Sequence, residues 1–122
     1  MFAAPVSVDV HDLIQTTLLG EAVENAPVAV FVADDEMQYI AVNRAACSLL
    51  GYERNELLAM RASDVSRTPA VEERFHELMA RGEAAGRRTL VRKDGTAVEI
   101  EFWATSTKVA QMTVYVAFVK PA

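Results

Sequence analysis

Few side chains in this sequence have a type and spacing that could do covalent chemistry. Its 122 residues include two histidines, His11 and His76, and one cysteine, Cys47. The hydrolase motifs Gly-x-Ser-x-Gly and His-Glu-x-x-His do not occur, and no glycine-rich loop could hold a phosphate. Asp64 lies beside serines, but no histidine is near it in the sequence, so a base, an orienting group and a nucleophile cannot be assembled. The sequence therefore predicts a protein that is not an enzyme.

The histidines and the cysteine are also the candidates for binding a metal or a haem. A haem ligand must be an imidazole that faces the interior. His76 follows Phe75 in a predicted helix and is rotated away from its apolar side, and His11 lies on the polar side of another helix. Cys47 has no second cysteine, so it predicts neither a disulfide nor a zinc site. We expect no metal site and interpret Cys47 as a small packed residue.

Two adjacent arginines offer a different chemistry. Arg87 and Arg88 stand at the start of a predicted strand, and an inward-facing guanidinium could bind a carboxylate through two hydrogen bonds. Arg88 is our candidate for a polar or anion contact, and the alternative is a solvated arginine at an exposed strand end. We interpret the acidic run Asp34–Glu36 as a solvated turn.

The chain as a whole is acidic, with a formal net charge of -5. Nucleic acids and anionic membranes both attract basic surfaces, so we expect neither as a partner. No apolar run reaches the roughly 18 residues that a membrane span needs, and Met1 to Val10 lack the features of a secretory signal. With its single cysteine, the chain is typical of a cytoplasmic protein.

An amphipathic helix is predicted near the start of the sequence. Its apolar residues recur at helical spacing and are Val10, Leu13, Ile14 and Leu18. We divide the chain into this lead-in helix, residues 1–20, and one domain, residues 21–122. The apolar stripe must be buried either against the domain or against a second chain.

The remaining pattern predicts two strands, several short helices and three further strands. The strands are Val28–Ala33, Tyr39–Val42, Arg87–Lys93, Ala97–Thr105 and Thr113–Val119, and the helices are Arg44–Leu50, Asn55–Met60 and one that opens at Thr68-Pro69 and ends before Gly82 and Gly86. Asn43 is a natural helix cap and Gly51 a natural helix end, while Asp94-Gly95 is typical of a hairpin turn. This order predicts an α+β fold on an antiparallel sheet.

The order and spacing of these segments resemble the PAS family of sensory domains over Glu24 to about Val119. The segments that carry the resemblance are Asn25-Ala26-Pro27 with the strand behind it, Val42 to Tyr52, Glu56-Leu57-Leu58, and Arg92 to Thr96. The resemblance implies a five-stranded antiparallel sheet in the order 2-1-5-4-3, with short helices on one face. A ligand, where the family has one, sits between that face and the helices.

The resemblance also brings the cofactors of the family into question. Haem-binding relatives carry the axial histidine on the long helix, near the position of Val71 here, so a haem bound through His76 is disfavoured. Light-sensing flavin relatives carry a reactive cysteine in an Asn-Cys-Arg-Phe stretch that this sequence lacks. Covalent flavin chemistry is therefore disfavoured as well, whereas non-covalent flavin and an unknown small molecule stay open.

Apolar residues of this chain could form the walls of a ligand site. The candidate walls are Val30, Val32, Val71, Phe75, Met79, Leu90, Ile100, Phe102 and Val116. Trp103 alternates to the other side of its strand, where a large aromatic residue indicates a contact surface. The candidate interface residues, which would meet the lead-in helix or a second subunit, are Leu13, Ile14, Leu18, Trp103 and Tyr115.

We predict a sensory and signal-transduction module that binds a small ligand or a protein partner. Its state would pass on through a homodimer or an attached output domain, because binding favours one packing arrangement over another. The alternatives are a ligand-free dimerisation module and a haem- or flavin-dependent redox or gas sensor.

Overall fold

The computed structural model of the protein describes residues 10–67 and 70–122. Within these residues the helices and strands follow the predicted order. The helices are α1 Val10–Glu24, α2 Arg44–Leu50, α3 Arg54–Leu58, α4 Ala62–Val65 and α5 Val71–Arg81, and the strands are β1 Ala29–Ala33, β2 Tyr39–Val42, β3 Glu83–Val91, β4 Ala97–Val109 and β5 Met112–Pro121.

The strands form one antiparallel sheet in the order β2-β1-β5-β4-β3, which confirms the predicted order. The first strand pairs with the last, so that Phe31 lies opposite both Val42 of β2 and Ala117 of β5. Strands β4 and β5 form a long hairpin that extends to the pair Val109 and Met112. This topology brings the two ends of the domain together in the middle of the sheet.

The two faces of the sheet differ in what covers them. The inner face carries Phe31 and Ile100, which pack in one core cluster with Leu50 and Leu57 of the short helices. Alternate residues project to the outer face, where Trp103 is exposed. The core therefore lies between the inner face and the helices.

The side chain of Asn43 connects three elements, α1, β1 and α2. Its side-chain oxygen accepts hydrogen bonds from the backbone N–H groups of Ala46, at 3.0 Å, and Val30, at 2.9 Å. Its amide nitrogen donates to the carbonyl oxygens of Val23, at 2.8 Å, and Val28, at 2.9 Å. Asn43 thus caps α2, as predicted, and also ties the end of α1 to the start of β1.

The boundaries around α5 differ from the prediction. The helix begins at Val71 after Ala70, and the predicted opening at Thr68-Pro69 lies outside the described residues. It ends at Gly82 in the left-handed conformation, with φ 79°. The expectation that Gly86 also ends the segment was wrong, because Gly86 lies within β3, paired with Phe102 of β4. Strand pairing here outweighs the turn preference of glycine.

Helix α1 continues through Gly20 to Glu24, beyond the predicted end of the lead-in segment at residue 20. The first nine residues of that segment lie outside the described residues. None of the residues of α1 is buried. The ion pair between Glu24 and Arg54, with its shortest N–O distance at 2.6 Å, fastens the end of the helix to α3.

Candidate functional site

A cavity of about 150 Å³ lies between the inner face of the sheet and helices α4 and α5. Helix α5 contributes Phe75 and Leu78 to its wall, and the sheet contributes Ile100 and Phe102. The strands supply alternate residues because successive side chains point to opposite faces. A largely apolar space of this size can hold a molecule about as large as benzene.

The structure brings most of the predicted wall residues of the second half of the chain to this cavity. Those that line it are Val71, Phe75, Leu90, Ile100 and Phe102, together with the anion-contact candidate Arg88. Met79 does not line it, because its side chain is rotated to the surface of α5 and is 40% exposed.

Val30, Val32 and Val116 do not line the cavity either. The register pairs Val30 with Phe118 and Val32 with Val116, in the rows that alternate with the cavity-lining residues of β1 and β5. The prediction that these valines form its walls was wrong, because the opposite set of residues points inward.

The cavity is also lined by two tyrosines that were not among the predicted wall residues. Tyr39 is buried, and its ring centroid lies 5.3 Å from that of Phe31. Tyr115, predicted on the outer interface, is instead buried against Phe75 with ring centroids 5.0 Å apart. Its placement at an interface was wrong because it lies on the inner face of β5. Knowledge of the strand register would have identified both residues.

Both tyrosines line the cavity. Neither hydroxyl has a hydrogen-bond partner among residues 10–67 and 70–122. Every fully inaccessible side-chain oxygen in this part of the chain does have a partner. The two hydroxyl oxygens are therefore not completely enclosed. Burial raises the pKa of Tyr39 far above its usual range, and the negative charge of Asp64 adds to the effect. The hydroxyl of Tyr39 is therefore neutral at ordinary pH.

Arg88 turns toward the cavity, unlike its neighbour. Its guanidinium carbon lies 4.6 Å from the centroid of the Phe102 ring, a cation–π contact. Burial lowers the pKa of Arg88, the positive charge of Arg74 lowers it further, and Glu77 acts in the opposite direction. Arg87 points outward and pairs with Glu101 at 3.1 Å, with 72% of its side chain exposed.

Exposed apolar residues also occur away from the cavity, on the outer face of the sheet and on α1. Trp103 is 64% exposed, and Leu13, Ile14 and Leu18 of α1 are exposed as well. The option that α1 of the same chain buries Trp103 was wrong, because Trp103 and the α1 residues Leu13, Ile14 and Leu18 are all more than half exposed. Burial of Trp103 by a second subunit stays a prediction.

The residues at the cavity do not fit a haem or a covalent flavin. His76 is exposed, Cys47 lies on α2, and neither lines the cavity. Burial raises the pKa of the Cys47 thiol, which keeps it in the less reactive protonated form.

Two further findings concern the described residues as a set. Within residues 10–67 and 70–122, no three histidine, cysteine, aspartate or glutamate side chains come together as metal ligands would. In the same part of the chain, no helix has both the length and the apolar character that a membrane crossing requires.

Solved structures with the same fold are numerous. A PAS domain from a two-component sensor histidine kinase superposes with a TM-score of 0.83 at 21% identity, over 91% of this chain and 99% of that one. The PAS domain of an HTR-like protein from Haloarcula marismortui gives 0.80 at 21% identity, over 92% and 96%. An RNA-binding light-oxygen-voltage receptor gives 0.79 at 22% identity, over 99% of this chain but 37% of that one.

At the level of sequence, a family model matches this chain although individual curated proteins do not. No curated protein matches this chain. The family of the PAS fold, however, matches residues 17–121, which is most of the sequence. The chain therefore belongs to the PAS family of sensory signalling domains.

Proposed function

We propose that this PAS domain senses a small molecule, which binds in the cavity between the inner face of the sheet and helices α4 and α5. The observation that carries the proposal is the cavity itself. It is a largely apolar pocket of about 150 Å³ that is partly open to solvent, and small-molecule sites in proteins are typically concave and mostly apolar. Its retention is understandable if a ligand fills it.

Strand β4 offers a direct connection from the cavity to the surface. Phe102 lines the cavity, and the next residue, Trp103, projects from the outer face. A ligand that shifts β4 changes the position of Trp103 as well. We propose that ligand binding thereby favours one packing of the outer face against a partner.

The partner that we propose is a second copy of this chain, with α1 and the outer face in the interface. The exposed apolar residues of α1 and Trp103 support this because a homodimer would remove them from water. The similar domain from a sensor histidine kinase supports the further proposal that a cytoplasmic output domain receives the signal. Such a module would not itself be an enzyme.

The cavity can be tested by filling it. Ala117 lines the cavity on β5, whereas Ala97 is exposed at the start of β4. We expect Ala117→Leu to abolish binding of toluene, a neutral probe of suitable size, and Ala97→Leu to leave it unchanged. Toluene binding is followed through the NMR amide shifts of β4 and β5. Native mass spectrometry and an absorption spectrum of the freshly purified wild type would identify a ligand retained from the cell.

Each outcome of this experiment decides for or against a ligand cavity. Toluene shifts in wild type and Ala97→Leu, but not in Ala117→Leu, would support the site. An unliganded mass together with unchanged amide shifts in the wild type would reject it and favour the ligand-free dimerisation module. An absorption band of haem or flavin would show that the bound molecule is a cofactor and not a colourless ligand.

A further inference from the structure

Arg88 lies at the edge of the cavity, and the nearby Glu77 acts on its pKa without forming an ion pair with it. Among residues 10–67 and 70–122, neither Arg88 nor Arg74 forms an ion pair, although both line the cavity. The one side-chain hydrogen bond of Arg88 in this part of the chain runs from Nη1 to the backbone oxygen of Arg87, at 2.8 Å. Most of its five N–H donors are left for another acceptor.

The surroundings hold this guanidinium in place. Its guanidinium carbon lies over the ring of Phe102, and this contact reduces the freedom that the side chain would lose on binding a ligand. Arg74 adds a second positive charge close enough to affect the ionisation of Arg88. Two cations and the single carboxylate of Glu77 leave a net positive charge beside Arg88, which favours the binding of an anion.

The rest of the cavity favours an apolar molecule with few polar atoms. Its inner wall carries Ile100, Leu90 and Phe75, whereas the polar groups that face it are mainly Tyr39, Tyr115 and the two arginines. A fully polar anion such as phosphate would have to be desolvated against apolar side chains, which is costly. A planar carboxylate can instead use the paired donors of a guanidinium.

We propose that the cavity binds a small carboxylate with an apolar body about the size of a benzene ring, with the carboxylate at Arg88 and Arg74 and the body against Phe102 and Ile100. The acidic net charge of the chain, -5, opposes anion binding in general, so attraction of a carboxylate depends on these two arginines. The carboxylate site deepens the ligand-sensing function proposed above and depends on the same cavity.

The adjacent arginines offer a matched pair for the test. Arg88→Met removes the inward charge and keeps an apolar side chain over Phe102, whereas Arg87→Met removes a charge that points outward. Benzoate and benzamide serve as probes because they share shape and differ in charge. We expect Arg88→Met to weaken benzoate binding at least about tenfold by calorimetry, with benzamide binding unchanged. Arg87→Met should alter neither.

The outcomes separate this inference from the proposed function. Unchanged benzamide binding shows that the Arg88→Met variant keeps its cavity. Equal affinities of the wild type for benzoate and benzamide, or an unchanged benzoate affinity in Arg88→Met, would overturn the carboxylate site and leave the ligand cavity standing. If toluene binds but benzoate does not, the carboxylate site again fails while the cavity remains. If none of the three probes binds, both proposals fail.

Discussion

At the scale of single residues, Asn43 has two structural roles, and the sequence predicted only one of them. Its capping role follows from residue type and position, since asparagine is favoured before a helix. Its two bonds to the backbone oxygens of Val23 and Val28 do not, because they depend on how α1 and β1 dock. One side chain of 4% exposure therefore stabilises a helix start and a junction between elements.

We expect Asn43→Ala to lower the free energy of unfolding by about 2–4 kcal/mol, because it leaves the buried N–H groups of Val30 and Ala46 without their acceptor. Urea denaturation measures the loss. The matched control is Asn55→Ala in α3, where the side chain is exposed and the expected change is below about 0.5 kcal/mol. Similar losses in the two variants would show that the bonds of Asn43 contribute little.

Tyr39 makes stability depend on alkaline pH. In the unfolded chain a tyrosine loses its proton near pH 10, whereas burial raises the pKa of Tyr39 in the folded protein. Above about pH 10 the folded state therefore binds more protons than the unfolded state, so stability is complete below this pH and falls as the pH rises above it. The folded state must be disrupted before this hydroxyl can ionise readily.

We expect Tyr39→Phe to have nearly the stability of the wild type at pH 7, because the hydroxyl has no hydrogen-bond partner in the described part of the chain. At pH 11 the variant should be more stable than the wild type, since phenylalanine cannot ionise. Urea midpoints at the two pH values test this. A loss of stability with pH that is equal in both proteins would exclude Tyr39 as its origin.

At the scale of elements, the sequence predicts the inward face of a strand only where the two faces differ in polarity. In β4, Glu99, Glu101 and Trp103 alternate with apolar residues, and the predicted face is confirmed by burial of Val98, Ile100 and Ala104. Strands β1 and β5 are apolar on both faces, so alternation could not tell Val30 from Phe31 or Val116 from Ala117. Their orientation depends on the register between β1 and β5, which is a long-range property.

Two glycines, Gly82 at the end of α5 and Gly20 within α1, differ in what their positions require. Gly82 ends α5 with φ 79°, and an added Cβ would lie 3.3 Å from the Ser106 side-chain oxygen. Gly20 lies within α1, and an added Cβ would have no atom within 4 Å. Glycine is therefore required at the first position and is a weakness at the second.

We expect Gly82→Ala to destabilise the protein by about 1–2 kcal/mol, because alanine must adopt a left-handed backbone there. Gly20→Ala should instead increase the helix content by circular dichroism, since alanine favours a helix interior by about 1 kcal/mol. Both variants are compared with the wild type by thermal unfolding. A Gly82→Ala variant as stable as the wild type would mean that the end of α5 can relax at little cost.

At the scale of the whole molecule, the stable part and the candidate signalling surface are separate. The core lies between the inner face and the short helices, whereas α1 has no buried residue. An isolated helix of 15 residues is marginal in water, because helices in proteins depend mainly on packing of their apolar side. In the proposed homodimer, α1 gains that packing from the partner, and the core can remain folded whether or not the dimer forms.

We therefore expect Leu18→Glu and Trp103→Glu each to yield a folded monomer, because a charge in an apolar interface is costly while both positions are exposed in the single chain. Light scattering measures the mass, and circular dichroism measures the fold. Gln15→Glu is the matched control, since it adds the same charge to α1 at a position that is already polar and should leave a dimer. If Leu18→Glu and Trp103→Glu remain dimeric, the interface lies elsewhere, and a signal from the cavity cannot reach it through Trp103.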